Sequence, residues 1–229
     1  MSAKDAAERT LRTRKGEVLL VRDPTFEYIF PLSMGEGLGV FFHYRDQDAR
    51  MTRELLSAAT KGEHNRIVCA VREHSVIGYT IIVPPEPGTR WFEIGEELGR
   101  AVREPADPLL LELGSIEVAK PWRSAGIGRE ILRFAFDDPR FDRKIVISRE
   151  LSWHWDLRAA GLSAYEYRTM LLRFFESAGF RYCETDDEEI AYSGENMLTA
   201  RVGRDVTPET ALAFYRSLVR SEPRGWGWG

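Results

Sequence analysis

The residues of this chain best suited to chemistry lie between positions 110 and 129. An apolar run, Leu110-Leu111-Glu112-Leu113-Gly114-Ser115-Ile116-Glu117-Val118, leads within five residues to Arg123-Ser124-Ala125-Gly126-Ile127-Gly128-Arg129. The last part of that turn opens an amphipathic helical pattern. A helix start leaves backbone N–H groups unpaired, and the helix dipole adds partial positive charge there. Glycine at 126 and 128 lets a diphosphate approach the backbone without Cβ interference, and Arg123 and Arg129 add formal charge at the rim. A plain strand-to-helix connection would also tolerate such glycines, so the spacing decides. A dinucleotide fingerprint needs GxGxxG after an early strand, with an acidic residue about 20 positions on. A Walker A loop needs Gly-Lys-Ser/Thr. This turn sits mid-chain and fits neither.

Strands and helices on either side must hold that turn. Residues 16–21 have the content of a first strand, and residues 25–44 read as an aromatic-rich irregular loop with a helical piece. Apolar residues recur at helical spacing over 48–60 and again over 91–102. Residues 66–72 and 76–83 are β-branched and aromatic, joined by the polar Glu73-His74-Ser75, which predicts a hairpin. After the turn come a helix over 126–136, a strand over 144–148, the aromatic segment Trp153-His154-Trp155-Asp156 and a helix over 164–178. Strands over 180–185 and 197–202 flank an acidic run, and Thr207-Pro208-Glu209 opens a last helix with Thr as N-cap and Pro behind it. Residues 1–15 read as a flexible arm, 16–221 as one domain and 222–229 as a tail ending Gly225-Trp226-Gly227-Trp228-Gly229. In that tail two tryptophans stand between glycines, which suits either an unstructured end or an anchor for a partner.

Composition narrows the partners. The chain has 229 residues, 43% hydrophobic and 30% charged, enough to bury a core, and a net charge of −4. That balance argues against nucleic acid, which needs a basic surface. No run is long and apolar enough to span a membrane, and the polar start lacks a secretory signal, so a cytoplasmic protein is expected. Cys69 and Cys183 lie in apolar runs without CxxC spacing or nearby histidine, so free buried thiols are expected and no metal site.

The pattern Arg-x-x-Gly-x-Gly after an apolar strand resembles the acyl-CoA-binding signature of the GNAT superfamily of N-acetyltransferases. The resemblance implies an α/β (α+β) fold, a single domain with a central mixed, splayed β-sheet flanked by helices. It implies acetyl-CoA as acyl donor, contacted by Ile116, Val118, Arg123, Ser124, Ala125, Gly126, Ile127, Gly128 and Arg129. Further segments extend the resemblance from about residue 66 to 218: the run 110–118, Ser152-Trp153-His154-Trp155-Asp156-Leu157, Glu166-Tyr167-Arg168, Thr185-Asp186-Asp187 and Asn196-Met197-Leu198-Thr199-Ala200-Arg201. Together they look like the acetoin utilisation acetyltransferase family of bacilli. That family implies a partner, AMP-forming acetyl-CoA synthetase, which its members acetylate on a lysine and so switch off.

Transfer to an amine needs a base, since only about 0.05% of a free lysine is neutral at pH 7. Glu112, eleven residues before Arg123, matches a catalytic glutamate of lysine-acetylating relatives. In an unbulged strand it shares a face with residues 114, 116 and 118. Glu117 is the rival, since a bulge would change which one faces the cleft, and either could instead pair with an arginine. The resemblance gives the carbonyl oxygen to the Val118 N–H. It also implies a tyrosine acid where this chain has Phe175, so Tyr165 and Tyr167 are the candidates, with core packing as the alternative. His154 suits either the acceptor cleft or a structural hydrogen bond. The acidic residues 186–189 suit a solvated loop or a basic protein surface. A small-molecule amine as acceptor, and a non-catalytic acyl-CoA-binding regulator, remain alternatives to protein acetylation.

Overall fold

The computed structural model describes residues 7–39, 49–102 and 107–219. It opens with a hairpin of β1 (Ala7–Thr13) and β2 (Gly16–Arg22), followed by α1 (Phe26–Ile29), β3 (Ser33–Met34) and α2 (Ala49–Ala59). Then come β4 (Arg66–Arg72), β5 (Ser75–Val83), α3 (Arg90–Val102), β6 (Leu110–Val118) and α4 (Ile127–Phe136). The chain continues through β7 (Ile145–Glu150), α5 (Leu157–Ala160), α6 (Ala164–Glu176), β8 (Arg181–Cys183), α7 (Glu188–Ala191), β9 (Met197–Val202) and α8 (Pro208–Ser217). Among the described residues nine strands form one sheet in the order β1-β2-β4-β5-β6-β7-β9-β8, with β3 parallel to β5. The expected mixed sheet flanked by helices is therefore present.

The arm expected at residues 1–15 is not frayed where it is described. Residues 7–13 pair with β2 from Ala7↔Arg22 to Thr13↔Gly16. Their side chains alternate half-buried and exposed, as an edge strand requires. The tail at 222–229 lies outside the described residues.

Each face of the sheet has its own apolar layer. On one face α4 buries Ile127, Ile131, Leu132, Phe134 and Ala135 against Val18, Leu20, Val68, Leu111, Leu113 and Val146. Phe175 of α6 and Phe180 join that layer. On the other face Trp91, Ile94 and Leu98 of α3 and Phe214 of α8 cover Leu110, Ile145, Ile147 and Leu198. Ile29 and Leu56 of α1 and α2 cover Ile67, Cys69 and Tyr79 further along that face.

Two irregularities in β6 set up the site. The register against β5 runs Ile81↔Ser115 and then Ile82↔Leu113, so Gly114 is an extra residue, a β-bulge. Against β7 the strand pairs in parallel only from Leu110↔Ile145 to Glu112↔Ile147. Beyond Glu112 the two strands part, and the sheet splays open.

Candidate active site

The opening between β6 and β7 holds a cavity of about 150 Å³. Its walls are residues 113–118 of β6, Arg149, Glu150 and Leu151 from β7, and His154, Trp155 and Asp156 from the segment that follows. Arg123 and a stripe at i, i+4 and i+8 along α6, Tyr167, Leu171 and Phe175, complete it.

Antiparallel pairing dictates what the edge of β6 presents. Ala119 N–H donates to Ile77 O at 2.9 Å, so Ala119 and Ile77 form a hydrogen-bonded pair. Because such pairs alternate, Gly78↔Val118 and Thr80↔Ile116 are non-hydrogen-bonded on the β5 side. The N–H and C=O groups of Ile116 and Val118 therefore point away from β5, toward the gap left by β7. The Val118 carbonyl accepts from Arg123 Nε at 3.1 Å, which leaves the Val118 N–H directed at the opening.

The glycine turn closes one end of this gap. Ser124 and Gly126 both have positive φ, +61° and +80°, and Gly126 is the N-cap of α4 with no side chain accepting from the first helical turn. A Cβ on Gly126 would meet nothing within 4 Å. The helix therefore offers uncapped N–H groups to open space, an arrangement that fits a diphosphate. Gly128 serves differently from the expectation, since its Cβ would lie 3.3 Å from the Phe174 ring. Its small size lets α6 pack against the helix start.

Arg123 also departs from its expected place at the rim. Its Nη1 donates to Asp156 Oδ2 at 2.8 Å and its Nε to the Val118 carbonyl, so the guanidinium joins the turn, the strand end and the Trp-His-Trp-Asp segment. That guanidinium holds the Asp156 carboxyl below its ordinary pKa, and Asp156 in turn caps α5. Arg129, in the first turn of α4, is exposed. The β1–β2 hairpin braces the same turn from outside. Arg14 Nη2 donates to Ser124 O at 2.9 Å, and Lys15 Nζ donates to the carbonyls of Pro121 and Arg123.

The two candidate bases on β6 are both committed elsewhere. Arg149 Nε donates to Glu112 Oε1 at 2.8 Å, and its Nη1 to Glu189 at 2.6 Å. Glu117 is 7% exposed and accepts from the Tyr79 hydroxyl and the Gly39 N–H, each at 2.6 Å. The expectation that Glu112 shares a face with Ile116 and Val118 is corrected. The extra residue at Gly114 resets the alternation, so Glu112 stands with Ser115 and Glu117 on the face away from α4. Of the tyrosines, Tyr165 is 71% exposed and does not line the cavity. Tyr167 does line it, stacks on Trp155 at 5.3 Å, and has its pKa raised chiefly by burial.

Sequence reasoning missed Glu150, which lines the opening and accepts from the Ser148 hydroxyl at 2.7 Å. Part of its surface stays open, yet the packing around it pushes its carboxyl up to about 7 from 4.5, against the hydroxyl's opposing effect. The signal was available, because period-2 alternation from Val146 through Ser148 reaches position 150 on the face of α4. The acidic residues 186–189 are largely structural: Asp186 pairs with Arg90, Asp187 caps α7 and Glu189 pairs with Arg149. Cys69 and Cys183 are buried thiols pushed up by burial to about 12 and about 11, so both stay protonated at neutral pH, which argues against a nucleophilic role. Among the described residues, no helix is long and apolar enough to cross a membrane.

No family model matches the sequence. The chain is 30% identical over 208 residues to the acetoin utilization protein AcuA of Bacillus licheniformis, an alignment that covers 91% of each chain. The crystal structure of an acetoin utilization protein from Exiguobacterium sibiricum superposes with a TM-score of 0.82 at 31% identity, covering 96% of this chain and 97% of the other. The GNAT domain of S. lividans PAT shares the fold, with a TM-score of 0.50 at 10% identity over 84% of this chain and 95% of that domain.

Proposed function

The chain belongs to the acetoin utilization protein AcuA family, an acetyltransferase on the GNAT fold, and from that premise we propose that it transfers acetyl from acetyl-CoA to a lysine of a protein, AMP-forming acetyl-CoA synthetase, in the cytoplasm, and so inactivates it. The observation that carries the transfer chemistry is the parted edge of β6. It presents the Val118 N–H to a gap that ends at the uncapped start of α4. In this reading the backbone of residues 124–128 and the exposed Arg129 hold the diphosphate, and the edge groups of Ile116 and Val118 pair with the extended arm of the donor. The buried indole N–H of Trp155 has no partner among the described residues. An unmet donor costs roughly 1–3 kcal/mol, and a carbonyl of that arm would satisfy it. The Val118 N–H faces the developing oxyanion, a kind of contact worth roughly 3 kcal/mol. Tyr167, in place of the tyrosine missing at Phe175, keeps its proton until a thiolate forms beside it.

A protein acceptor is supported by the lip of the cleft. Trp153 is 38% exposed and Tyr192 82%, and their rings meet edge to face at 6.2 Å beside the Trp-His-Trp-Asp segment. Exposed aromatics at the mouth of a site suit a protein surface. Incubation with acetyl-CoA and acetyl-CoA synthetase should yield acetylated lysine by mass spectrometry and a matching loss of synthetase activity. Turnover of small amines alone would move the acceptor to that class. Binding of acetyl-CoA without any turnover would leave a regulator.

The hairpin brace gives a milder prediction for the same site. Replacing Arg14 and Lys15 together by alanine removes three exposed charge-assisted contacts to turn carbonyls, worth about 1 kcal/mol in all. Calorimetry should show acetyl-CoA affinity about threefold to fivefold weaker, with the thermal midpoint little changed. Native affinity in the double variant would detach the hairpin from the turn.

A further inference from the structure

We propose that Glu150, on the strand opposite the two glutamates of β6, is the general base that takes the proton of the acceptor amine. The assignment rests on the acetyltransferase reading above and adds a residue outside the candidates named from the sequence.

The geometry begins with the faces of β7. Ile145 and Ile147 join the α3 and α8 layer, and Arg149 reaches Glu112 on that same side. Val146 joins the α4 layer, so Ser148 and Glu150 also face α4 and α6. The register agrees, because Glu150 lies opposite Met197, itself in the α4 layer. Glu150 stands beyond Ile147, the last residue of β7 paired with β6, where the two strands have parted. Continuing the parallel register, with one extra residue at Gly114, sets Glu150 across the gap from Ile116, two residues before Val118. It is therefore the carboxylate on the same side of the sheet as the edge that receives the thioester.

Its surroundings suit proton transfer. Among the described residues Glu150 forms no ion pair, and the Ser148 hydroxyl orients it. Glu112 is held by Arg149, and Glu117 by Tyr79 and Gly39. The ionisable groups that share the cavity are Tyr167 from α6, His154 and Asp156 from the segment after β7, Arg123 from the turn after β6, Glu117 from β6 and Arg149 of the same strand. Arg123 is engaged by Asp156, and Arg149 by Glu112 and Glu189. Desolvation therefore dominates at Glu150, and a carboxyl that titrates near 7 matches the operating pH of a general base.

The step balances as follows for a lysine ammonium. One proton passes from nitrogen to Glu150 and on to solvent. The freed lone pair forms the C–N bond at the thioester carbon while the π pair moves to oxygen, facing the Val118 N–H. Collapse breaks the C–S bond. Sulfur takes the Tyr167 hydroxyl proton, nitrogen loses its second proton to water, and Tyr167 is reprotonated by water. The net products are amide, CoA thiol and one proton.

Initial rates of the full chain, Glu150→Gln and Glu112→Gln should be compared from pH 6 to pH 9. Acetyl-CoA synthetase and polylysine serve as acceptors, and acetyl-CoA affinity is measured by calorimetry. Glu150→Gln should lose on the order of 100-fold in kcat near pH 7. It should keep acetyl-CoA affinity within about twofold and lose any break in the rate profile near pH 7. Glu150→Asp should fall between the two.

Stability provides a second readout. The folded carboxyl holds its proton to about pH 7, whereas 4.5 is its unperturbed value. Its contribution to stability is thus full below about 4.5 and is lost as pH rises through about 7. Glu150→Gln, which need not ionise, should melt above the parent at pH 8 and level with it near pH 4.5. A structural carboxylate would give the reverse at pH 8. Glu150→Gln turnover within threefold of the parent, or a larger loss in Glu112→Gln, would overturn the assignment and leave the transferase reading intact. Absence of turnover by the parent chain on both acceptors would overturn both.

Discussion

Gly203→Ala should destabilise the chain by about 3 kcal/mol or more, the largest stability effect expected of any single methyl group here. Gly203 follows β9, where the chain leaves the sheet and crosses the turn of residues 139–143 that feeds β7. Its N–H donates to Lys144 O at 2.8 Å, and Asp205 N–H donates to Asp142 O at 2.7 Å. A Cβ at this position would stand 2.3 Å from Asp142 O and 2.4 Å from Phe141 O. Both obstacles are backbone carbonyls rather than flexible side-chain ends, so relief requires moving the crossing itself. Arg201 Nη1 also donates to Phe141 O at 3.2 Å, so the displacement would propagate into β9. For a domain of this size the expected loss lowers the thermal midpoint by roughly 6–12 °C. Gly194→Ala is the matched control, because nothing lies within 4 Å of its Cβ position. A Gly203→Ala melt within 2 °C of that control would refute the close approach.

Gly126→Val should weaken acetyl-CoA binding tenfold or more, about 1.4 kcal/mol. The residue has φ +80° and ψ −2°, a left-handed conformation that costs an L side chain roughly 1–2 kcal/mol. A β-branched residue is worse still there. Since the protein itself leaves open space around the Cβ position, the added bulk would project into the volume assigned to the diphosphate. Backbone and bulk can be separated. Gly126→Asn tolerates the left-handed conformation, so it should fold like the parent and still bind more weakly. Native affinity in a folded Gly126→Val chain would remove the turn from the donor site.

What the sequence disclosed and what it hid have different physical origins. The turn at 123–129 was legible because strand, glycine turn and helix start are local patterns in consecutive residues. The hairpin of β4 and β5 was legible for the same reason, through β-branched runs either side of a three-residue polar loop. The faces of β6 were not. Whether Glu112 stands with Ile116 depends on Gly114, and that bulge exists only in the register with β5, a partner distant in sequence. β1 was hidden because an edge strand needs few apolar residues, and Ala-Glu-Arg-Thr-Leu-Arg-Thr resembles a polar arm until β2 pairs with it. Glu150 was overlooked because the expected strand stopped at 148, two residues before the one that meets the cleft. That Tyr167 and not Tyr165 lines the opening needed the stripe of α6 to be seen against Trp155, which no local spacing conveys.

Gly114 also acts as a parity switch. A strand assigns its side chains to two sides by counting, and one supernumerary residue inverts the count for everything downstream. Ahead of it, Leu111 and Leu113 are the residues buried toward α4; past it, the even-numbered Ile116 and Val118 inherit that side. Because the peptide groups invert along with the side chains, the same insertion determines which amides β5 claims and which remain outward. Excising Gly114 would therefore not merely shorten the strand. It would turn the Val118 N–H back into the sheet and swing Glu117 toward the apolar layer under α4, so one codon separates two incompatible arrangements of an otherwise identical sequence.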